Sequence, residues 1–350
     1  MKIAIHSRQG SFSDRWISYC EEKEITFKIV NCCDSDIIEQ LRDCNGLMWH
    51  WSHEDYRAQN YARQLIYSLE KDGIFVFPNF DTCWHFDDKV GQKYLFESIG
   101  APLVPTHVFY DKAGAISWVK KTDFPMVFKL RGGAGSQNVM LVKSAHEAVK
   151  LINRAFSRGF PLVDGKAGLK QRIWVLKRDN NFKAVVHLLK GFIRLLIPAE
   201  NLNLLQTQKG YIYFQDFIPN NDFDDRIVVV GDRAFAIRRR VREKDFRASG
   251  SGIFDYDPSS FNLEAVKIAF EVTKKINSQT AAFDFVYDLD NKPLIVEISY
   301  SYSVGSAYDN CPGYWDSELI WHESKVNPQY FIIEDFLRFL KNSAEKSRKA

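Results

Sequence analysis

The stretch AAFDFVYDLDNKPLIVEISYS, residues 281–301, holds two apolar runs joined by a short polar segment. Turn chemistry in the connecting LDN and β-like runs on both sides predict a hairpin. A turn centred between Asp290 and Asn291 places Asp284 directly opposite Glu297. Like charges facing one another on a sheet are destabilising. Two carboxylates held that close are protonated, matched by a basic side chain, or built to hold a cation, and oxygen ligands favour Mg²⁺ or Ca²⁺. Carboxylates on Mg²⁺ usually share it with substrate phosphates, so a phosphate cradle is the next thing to seek.

A candidate lies in FPMVFKLRGGAGSQNVMLV, residues 124–142, where two β-like runs flank a loop holding Gly132, Gly133 and Gly135. Small residues expose backbone N–H groups that can nest phosphate oxygens, and Lys129 beside the loop adds positive charge. No GK[ST] follows, and the order strand, loop, strand argues against the dinucleotide fingerprint. Taken alone, such a loop is more often a mobile turn.

Other stretches change that balance. Asp88-Lys89 precedes a helical pattern at Val90, Tyr94, Leu95 and Ile99 that Gly100 and Pro102 terminate. Residues 211–219, YIYFQDFIP, read as a strand ending in exposed backbone. The run AFAIRRRVREKDFRASGSG packs Arg238, Arg239, Arg240, Arg242, Lys244 and Arg247 together just before the acidic hairpin. Such a run often marks a solvated face. Here it continues a β-pattern, which makes triphosphate binding the better reading.

This order of motifs, from about Asp88 to Ser299, resembles the ATP-grasp superfamily, most closely its RimK and glutathione-synthetase-like carboxylate-amine ligases. The resemblance implies a fold of the α/β (α+β) class with a nucleotide held between two lobes. Lys89 of the DK pair and Lys129, with Gly132, Gly133, Gly135 and Ser136 of the flexible loop, are implied as phosphate contacts. QDFIP is similar to the hinge that reads adenine, which implies Gln215, Asp216, Phe217 and Ile218. Asp225 and Arg226 stand where a DIR-type motif places ribose and phosphate contacts, although this chain reads DDRI. Arg239 and Arg247 are implied as catalytic phosphate or acyl-phosphate ligands. Asp284 and Glu297 match two magnesium carboxylates. The family usually has Asn two residues after the glutamate, and this chain has Ser299, a shorter oxygen ligand. The segment 300–328, YSYSVGSAYDNCPGYWDSELIWHESKVNP, replaces a glycine-rich one.

Composition agrees with a soluble enzyme. At 350 residues and 45% apolar content the chain has material for two or three domains. A net charge of +3 is no polyanion-binding tail, so nucleic acid is not an expected partner. No apolar run approaches the ~20 residues of a membrane span and no secretory segment is read, so the expected compartment is the cytoplasm, with no membrane partner. Six cysteines without zinc spacing read as thiols. Alternating strand and helix patterns over residues 1–86 predict a parallel α/β domain. A small lobe with the Gly-rich lid is expected at 87–200, a C-terminal lobe with the metal site at 201–342, and a fraying tail at 343–350.

His50 and His53 fall after a predicted parallel strand, where α/β sheets place ligands, although ordinary packing is the commoner fate. Cys311 reads as a loop thiol. Tyr300, Tyr302, Tyr308, Tyr314, Trp315, Trp321 and His322 line an acceptor pocket or pack a long loop. The expected function is an ATP- and Mg²⁺-dependent ligase, with Mn²⁺ as a substitute ion, that activates a small-molecule carboxylate as an acyl phosphate and joins it to an amine. The divergent C-terminal segment leans toward modification of a sugar acid or a small peptide. A kinase on the same scaffold and a non-catalytic nucleotide-binding module are the alternatives, and a homodimer is compatible with all three.

Overall fold

The computed structural model describes residues 1–133, 138–161, 173, 176, 207–241, 246–248 and 252–349. Gly135, Ser136, Arg242, Lys244 and most of the segment 162–206 lie outside the described residues. The chain divides into two compact units: residues 1–86, 94–103 and 219–350 form one, residues 87–93 and 104–218 the other.

The first unit opens with four short parallel strands, β1 (Ile3–His6), β2 (Phe27–Val30), β3 (Gly46–Met48) and β4 (Phe75–Phe77), in the order β2-β1-β3-β4. Between them run helices α1 (Phe12–Glu22), α2 (Ile37–Leu41) and α3 (Tyr56–Lys71), and α4 (Phe80–Cys83) follows β4. The expected alternation of the N-terminal segment is therefore present. α3 starts where Asp55 accepts from the Ala58 N–H, which satisfies one of the orphan donors of a helix start.

The second unit carries the sheet β5-β8-β6-β7, formed by β5 (Thr106–Phe109), β6 (Met126–Lys129), β7 (Met140–Val142) and β8 (Ile212–Asp216). Helix α5 (Lys89–Ile99) begins in this unit, and α6 (Lys112–Val119) and α7 (Ala145–Ala155) cover the sheet through Ala115, Val119, Ala148 and Ile152. The boundary expected at residue 200 falls at 218 instead. Its cause is β8, which pairs with both β5 and β6 and so belongs to this sheet rather than to the C-terminal one.

The C-terminal part of the first unit is a seven-stranded sheet. Its main path runs β13-β12-β9-β10-β14-β15, where β9 is Phe223–Val230, β10 Arg233–Arg240, β12 Thr280–Tyr287, β13 Pro293–Ser299, β14 Gly313–Asp316 and β15 Trp321–Glu323; β11 (Phe254–Asp255) pairs with β10. Helix α8 (Leu263–Lys275) lies on one face through Ala265, Val266 and Ala269, against Ile227, Val229, Phe283 and Phe285. The short helix α9 (Ser306–Asp309) precedes β14. The last helix, α10 (Pro328–Lys349), continues through the residues expected to fray.

The other face shares a core with the N-terminal sheet. Val228, Val230, Phe235, Ile237 and Ala282 join Ile3, Ile5, Met48 and Phe77, with Phe12 and Trp16 of α1 and Ile332, Ile333 and Phe336 of α10 among them. The segment expected to be a separate N-terminal domain is thus fused to the C-terminal lobe, because two amphipathic helices bury their apolar faces against both sheets.

The β12-β13 hairpin departs from the expected turn and still reaches the expected pairing. Tyr287 pairs with Pro293, so the turn is centred on Asp290, half a residue early. A bulge then inserts Val296 between the Phe285–Ile295 and Asp284–Glu297 pairs. One extra residue reverses the phase of everything beyond it. Ile295 and Ile298, three apart, therefore enter the same core, and Glu297 and Ser299 take the opposite face with Asp284.

Deleting Val296 should restore plain alternation while keeping Glu297 opposite Asp284 and Ile298 in the core, because the bulged residue is the one that opposes no partner. The expected cost is about 1 kcal/mol, that of an ordinary substitution, since no core residue changes face and only the local bend of the strand is lost. Urea denaturation would check this against Val296→Ala, which keeps the bulge and should cost about 1 kcal/mol or less.

Candidate active site

Strand alternation sorts the charged residues of β9 and β10 between two faces. Asp225 is fully buried on the α8 face, where Arg238 donates to it through Nε at 2.7 Å and Nη2 at 2.9 Å and the Tyr287 hydroxyl donates at 2.5 Å. Arg238 also lies over the Phe223 ring, its Cζ 3.7 Å from the centroid. Asp225 and Arg226, expected to contact one nucleotide together, point to opposite sides of the sheet. Asp225 is committed to a buried ion pair, which corrects the expectation of a ribose contact.

The opposite face collects Asp224, Arg226, Arg239, Asp284, Glu297 and Ser299 by register. Asp284 pairs with Arg226 on one side and Glu297 on the other, and Arg239 pairs with Asp224. Arg226 makes a bidentate contact with Asp284, Nε to Oδ1 at 2.6 Å and Nη2 to Oδ2 at 2.8 Å. Arg239, 4% exposed, bridges two carboxylates: it reaches Asp224 at 2.5 and 2.6 Å and Asp284 Oδ2 at 2.9 Å. Asp224 was not singled out in the sequence. Its position opposite Arg239 was readable once the two strands were known to pair.

Burial by itself raises the carboxyl of Asp284, but the guanidinium groups of Arg226 and Arg239 outweigh it and hold the group well below the usual carboxylate range. For Asp224 burial wins, with the like charge of Asp284 adding to it, and its carboxyl is pushed up despite Arg239. Of the three ways to hold close carboxylates, the structure shows the basic match at Asp284. Among these side chains the carboxylates of Asp224, Asp284 and Glu297 still outnumber the two guanidiniums by one. That donor set fits Mg²⁺, which takes one or two protein carboxylates and completes its shell with phosphate and water. Ser299 donates its hydroxyl to the Ser301 carbonyl at 2.7 Å, an orientation that leaves its oxygen a lone pair but fixes the proton away from the sheet face.

In the second unit the three consecutive residues Asp87, Asp88 and Lys89 grip the base of the glycine loop. Asp87 Oδ1 accepts from the Gly133 N–H at 2.7 Å and Lys89 Nζ donates to the Gly133 carbonyl at 2.8 Å. Asp88 caps α5 through the Gly91 N–H and binds Arg131 Nη2 at 2.5 Å. Gly133 has φ of 109°, a conformation that side chains rarely adopt, so glycine is required there. Gly132 lies beside it. Lys129 is buried and donates to Gln215 Oε1 at 2.6 Å, and Gln215 Nε2 donates to Thr106 Oγ1 at 3.1 Å. Lys129 is thus tied to β8, which ends at Asp216 and leads into Phe217 and Ile218; with Gln215 these are the expected adenine neighbours. The Asp216 N–H donates to the Pro105 carbonyl and its side chain meets His107 at 3.2 Å. Arg247 is half-buried with its guanidinium 6.0 Å from the Phe246 ring.

The remaining aromatic and titratable residues sort plainly. Tyr300, Tyr302, Tyr308 and Trp315 are core residues. Cys311 is buried near the Ala236 carbonyl, and burial pushes its thiol up to about 12, which removes it as a nucleophile. His50 is buried and stacked on Phe12 at 3.7 Å. Its Nδ1 accepts from the Phe12 N–H at 3.3 Å and lies 2.8 Å from Ser11 Oγ, so Nε2 carries the proton and donates to Ser301 Oγ at 2.9 Å. His50 therefore positions the segment that follows the acidic hairpin.

Residues 190–308 match the family model of the RimK-like ATP-grasp domain. Among curated proteins, the alpha-aminoadipate–LysW ligase LysX of Saccharolobus solfataricus is 22% identical over 256 residues, spanning 69% of this chain and 72% of that protein. The D-alanine–D-alanine ligase of Bacillus anthracis aligns with a TM-score of 0.56 at 15% identity, over 98% of this chain and 99% of its own. A RimK domain ATP-grasp protein of Sphaerobacter thermophilus aligns with a TM-score of 0.51 at 13% identity, over 85% of this chain and 90% of its own. The biotin carboxylase domain of the Hydrogenobacter thermophilus 2-oxoglutarate carboxylase, solved with MgADP, aligns at 0.55 and 13% identity over 95% of this chain and 68% of its own.

Replacing Arg239 with Met should destabilise the protein by about 3–5 kcal/mol, because two buried carboxylates lose a shared partner. Adding Asp224→Asn should recover part of that loss, and a double-mutant cycle in urea measures the coupling. Burial, with Arg8 adding to it, lowers the His50 imidazole well below its ordinary value. Its contribution to stability is then complete above about pH 6.5 and falls by up to about 1.4 kcal/mol per pH unit below it, since the unfolded chain binds the proton first. The slope of unfolding free energy between about pH 6.5 and 5 should be shallower in His50→Gln than in wild type.

Proposed function

We propose, from the premise that this chain has the ATP-grasp fold and carries a RimK-like ATP-grasp domain, that it is an ATP- and Mg²⁺-dependent ligase joining a small carboxylic acid to an amine. The observation that carries the reading is the single sheet face on which Asp284, Glu297, Arg226 and Arg239 meet within the matched domain. The substrate carboxylate attacks the γ-phosphoryl group, which yields an acyl phosphate and ADP. An amine then attacks the acyl carbon and releases phosphate.

Positioning and charge neutralisation dominate phosphoryl transfer, so the roles of the residues are electrostatic. Asp284 and Glu297 would hold Mg²⁺, which supplies neutralisation of the phosphate oxygens when bound. Lys89 and Lys129 face the phosphates with the loop that begins at Gly132 and Gly133. Gln215, Asp216, Phe217 and Ile218 serve the base through backbone groups. Arg239 and Arg247 stabilise the negative charge that develops on the transferring group, and Arg226 keeps Asp284 ionised and oriented. The Gly132 to Ser136 loop closes over the phosphates, and the exclusion of water protects the acyl phosphate from hydrolysis. The grip of Asp87 and Lys89 on Gly133 anchors one end of that loop.

A second reading, a module that binds nucleotide without turnover, draws on Ser299 in place of an amide ligand and on the arginines already engaged with Asp284. Incubation with Mg-ATP, hydroxylamine and pooled carboxylic acids separates the two. The ligase reading expects acid-dependent hydroxamate together with ADP. ADP without hydroxamate supports phosphoryl transfer to a hydroxyl acceptor, and nucleotide binding without ADP supports the module. Glu297→Gln should reduce turnover at least about a hundredfold at an unchanged melting temperature, since it removes a metal-binding charge from an already crowded acidic face. Wild-type turnover in that variant would sink the metal assignment.

A further inference from the structure

Strand pairing in the second unit sorts the side chains of its sheet between two faces. Met126, Phe128, Ile212 and Phe214 take the face that α6 and α7 cover. Thr106, Val127, Lys129, Tyr213 and Gln215 take the other, because neighbours on a strand alternate. Gln215 pairs with Thr106 on β5 and with Val127 on β6, which puts Lys129 one diagonal step away, within reach of a long side chain. This second face is closed as well: Thr106 is 6% exposed, Lys129 5% and Gln215 2%. An ammonium so far removed from water is costly to hold unless protein groups meet its donors.

One of those donors opens a continuous chain of hydrogen bonds. Lys129 Nζ donates to Gln215 Oε1 at 2.6 Å, Gln215 Nε2 donates to Thr106 Oγ1 at 3.1 Å, and the Thr106 hydroxyl donates to the Val104 carbonyl at 2.7 Å. An ammonium only donates and a backbone carbonyl only accepts, so the orientations of the amide and the hydroxyl between them are fixed from both ends. The anchor at Val104 is main chain. Its neighbour Pro105 accepts from the Asp216 N–H, so the same short segment also holds the end of β8. The partner that Gln215 offers to Lys129 is neutral. A carboxylate at this position would grip the ammonium more tightly and cancel its charge, whereas an amide orients the lysine and leaves the charge for a phosphate.

We propose that the Gln215 side chain is a positioning residue, which aims Lys129 at the phosphates of a nucleotide whose base lies against the backbone of the same residue. One amino acid then sets both the seat of the base and the direction of the phosphate charge. Thr106, which no sequence motif marks, acts through Gln215 at one remove. The inference rests on the nucleotide-binding part of the function proposed above and adds to it a side-chain role that the backbone contact does not require. A ligand without phosphate should be indifferent to this chain of bonds, and one with phosphate should not.

The test uses the full-length protein in Mg²⁺ buffer, with ADP and adenosine as the probes in isothermal calorimetry and the melting temperature as the check on the fold of each variant. Gln215→Met keeps the side-chain length and loses both hydrogen bonds; ADP affinity should fall about tenfold or more while adenosine affinity stays within about twofold. Gln215→Glu keeps a bond to Lys129 and should still weaken ADP, since the new charge competes with phosphate for the ammonium. Thr106→Val removes only the anchor and should weaken ADP about fivefold with the same selectivity, which keeps the proposal testable where a substitution at Gln215 does not fold. In a Lys129→Met background none of these changes should cost further ADP affinity, because the lysine they aim is gone. Equal losses for ADP and adenosine, a loss undiminished in the Lys129→Met background, or wild-type ADP affinity in the folded variants overturns the inference. If the wild-type protein binds no ADP, the nucleotide reading falls and takes this inference with it, whereas ADP binding without hydroxamate formation ends the ligase reading alone.

Discussion

The carboxylate of Asp284 sits between two guanidinium groups, and the chemistry of the C-terminal sheet is organised by that contact. The β9-β10 hairpin and β12, which comes much later in the chain, must reach their correct register before Arg226 and Arg239 can both arrive at one aspartate. The reward for doing so is large, since an unmatched charge at 8% exposure would cost several kcal/mol. The same arrangement keeps Asp284 ionised well into acid. A carboxylate that cannot take up a proton remains a permanent oxygen ligand, which is the property a metal-binding group needs.

The hairpin and the Asp284–Glu297 pair were legible because turn residues and apolar alternation act over a few positions. The bulge at Val296 was not, because nothing local distinguishes an extra residue from an ordinary one; the three-residue spacing of Ile295 and Ile298 was its trace. The separation of Asp225 from Arg226 was available in principle, since neighbours on a strand face opposite ways. The family motif obscured it by presenting the two residues as a unit. The matching of Asp284 by Arg226 depends on pairing between β9 and the distant β12, and the membership of β8 in the second sheet likewise depends on distant strands. Propensity carries no such information.

Some residues singled out for chemistry proved to be supports. His50 holds the chain after the acidic hairpin, with Ser11 on one nitrogen and Ser301 on the other, and Tyr300 and Tyr302 anchor the same segment in two different cores. Asp87, which drew no notice in the sequence, fixes Gly133 together with Lys89. Residues at and just before a helix start thus fix the backbone of Gly133 from both its N–H and its carbonyl.

The path of the chain between its two units has a consequence for synthesis. The first unit is assembled from residues 1–86, 94–103 and 219–350, with most of the second unit made in between. A nascent chain therefore presents Ile3, Ile5, Met48 and Phe77 long before Val228, Phe235 and the helix bearing Ile333 and Phe336 exist to cover them. The glycine-loop unit, nearly continuous in sequence, has its partners at hand and can fold first. The N-terminal sheet has to wait until the segment carrying Val228 to Leu340 has been made, and its apolar face stays exposed during that interval.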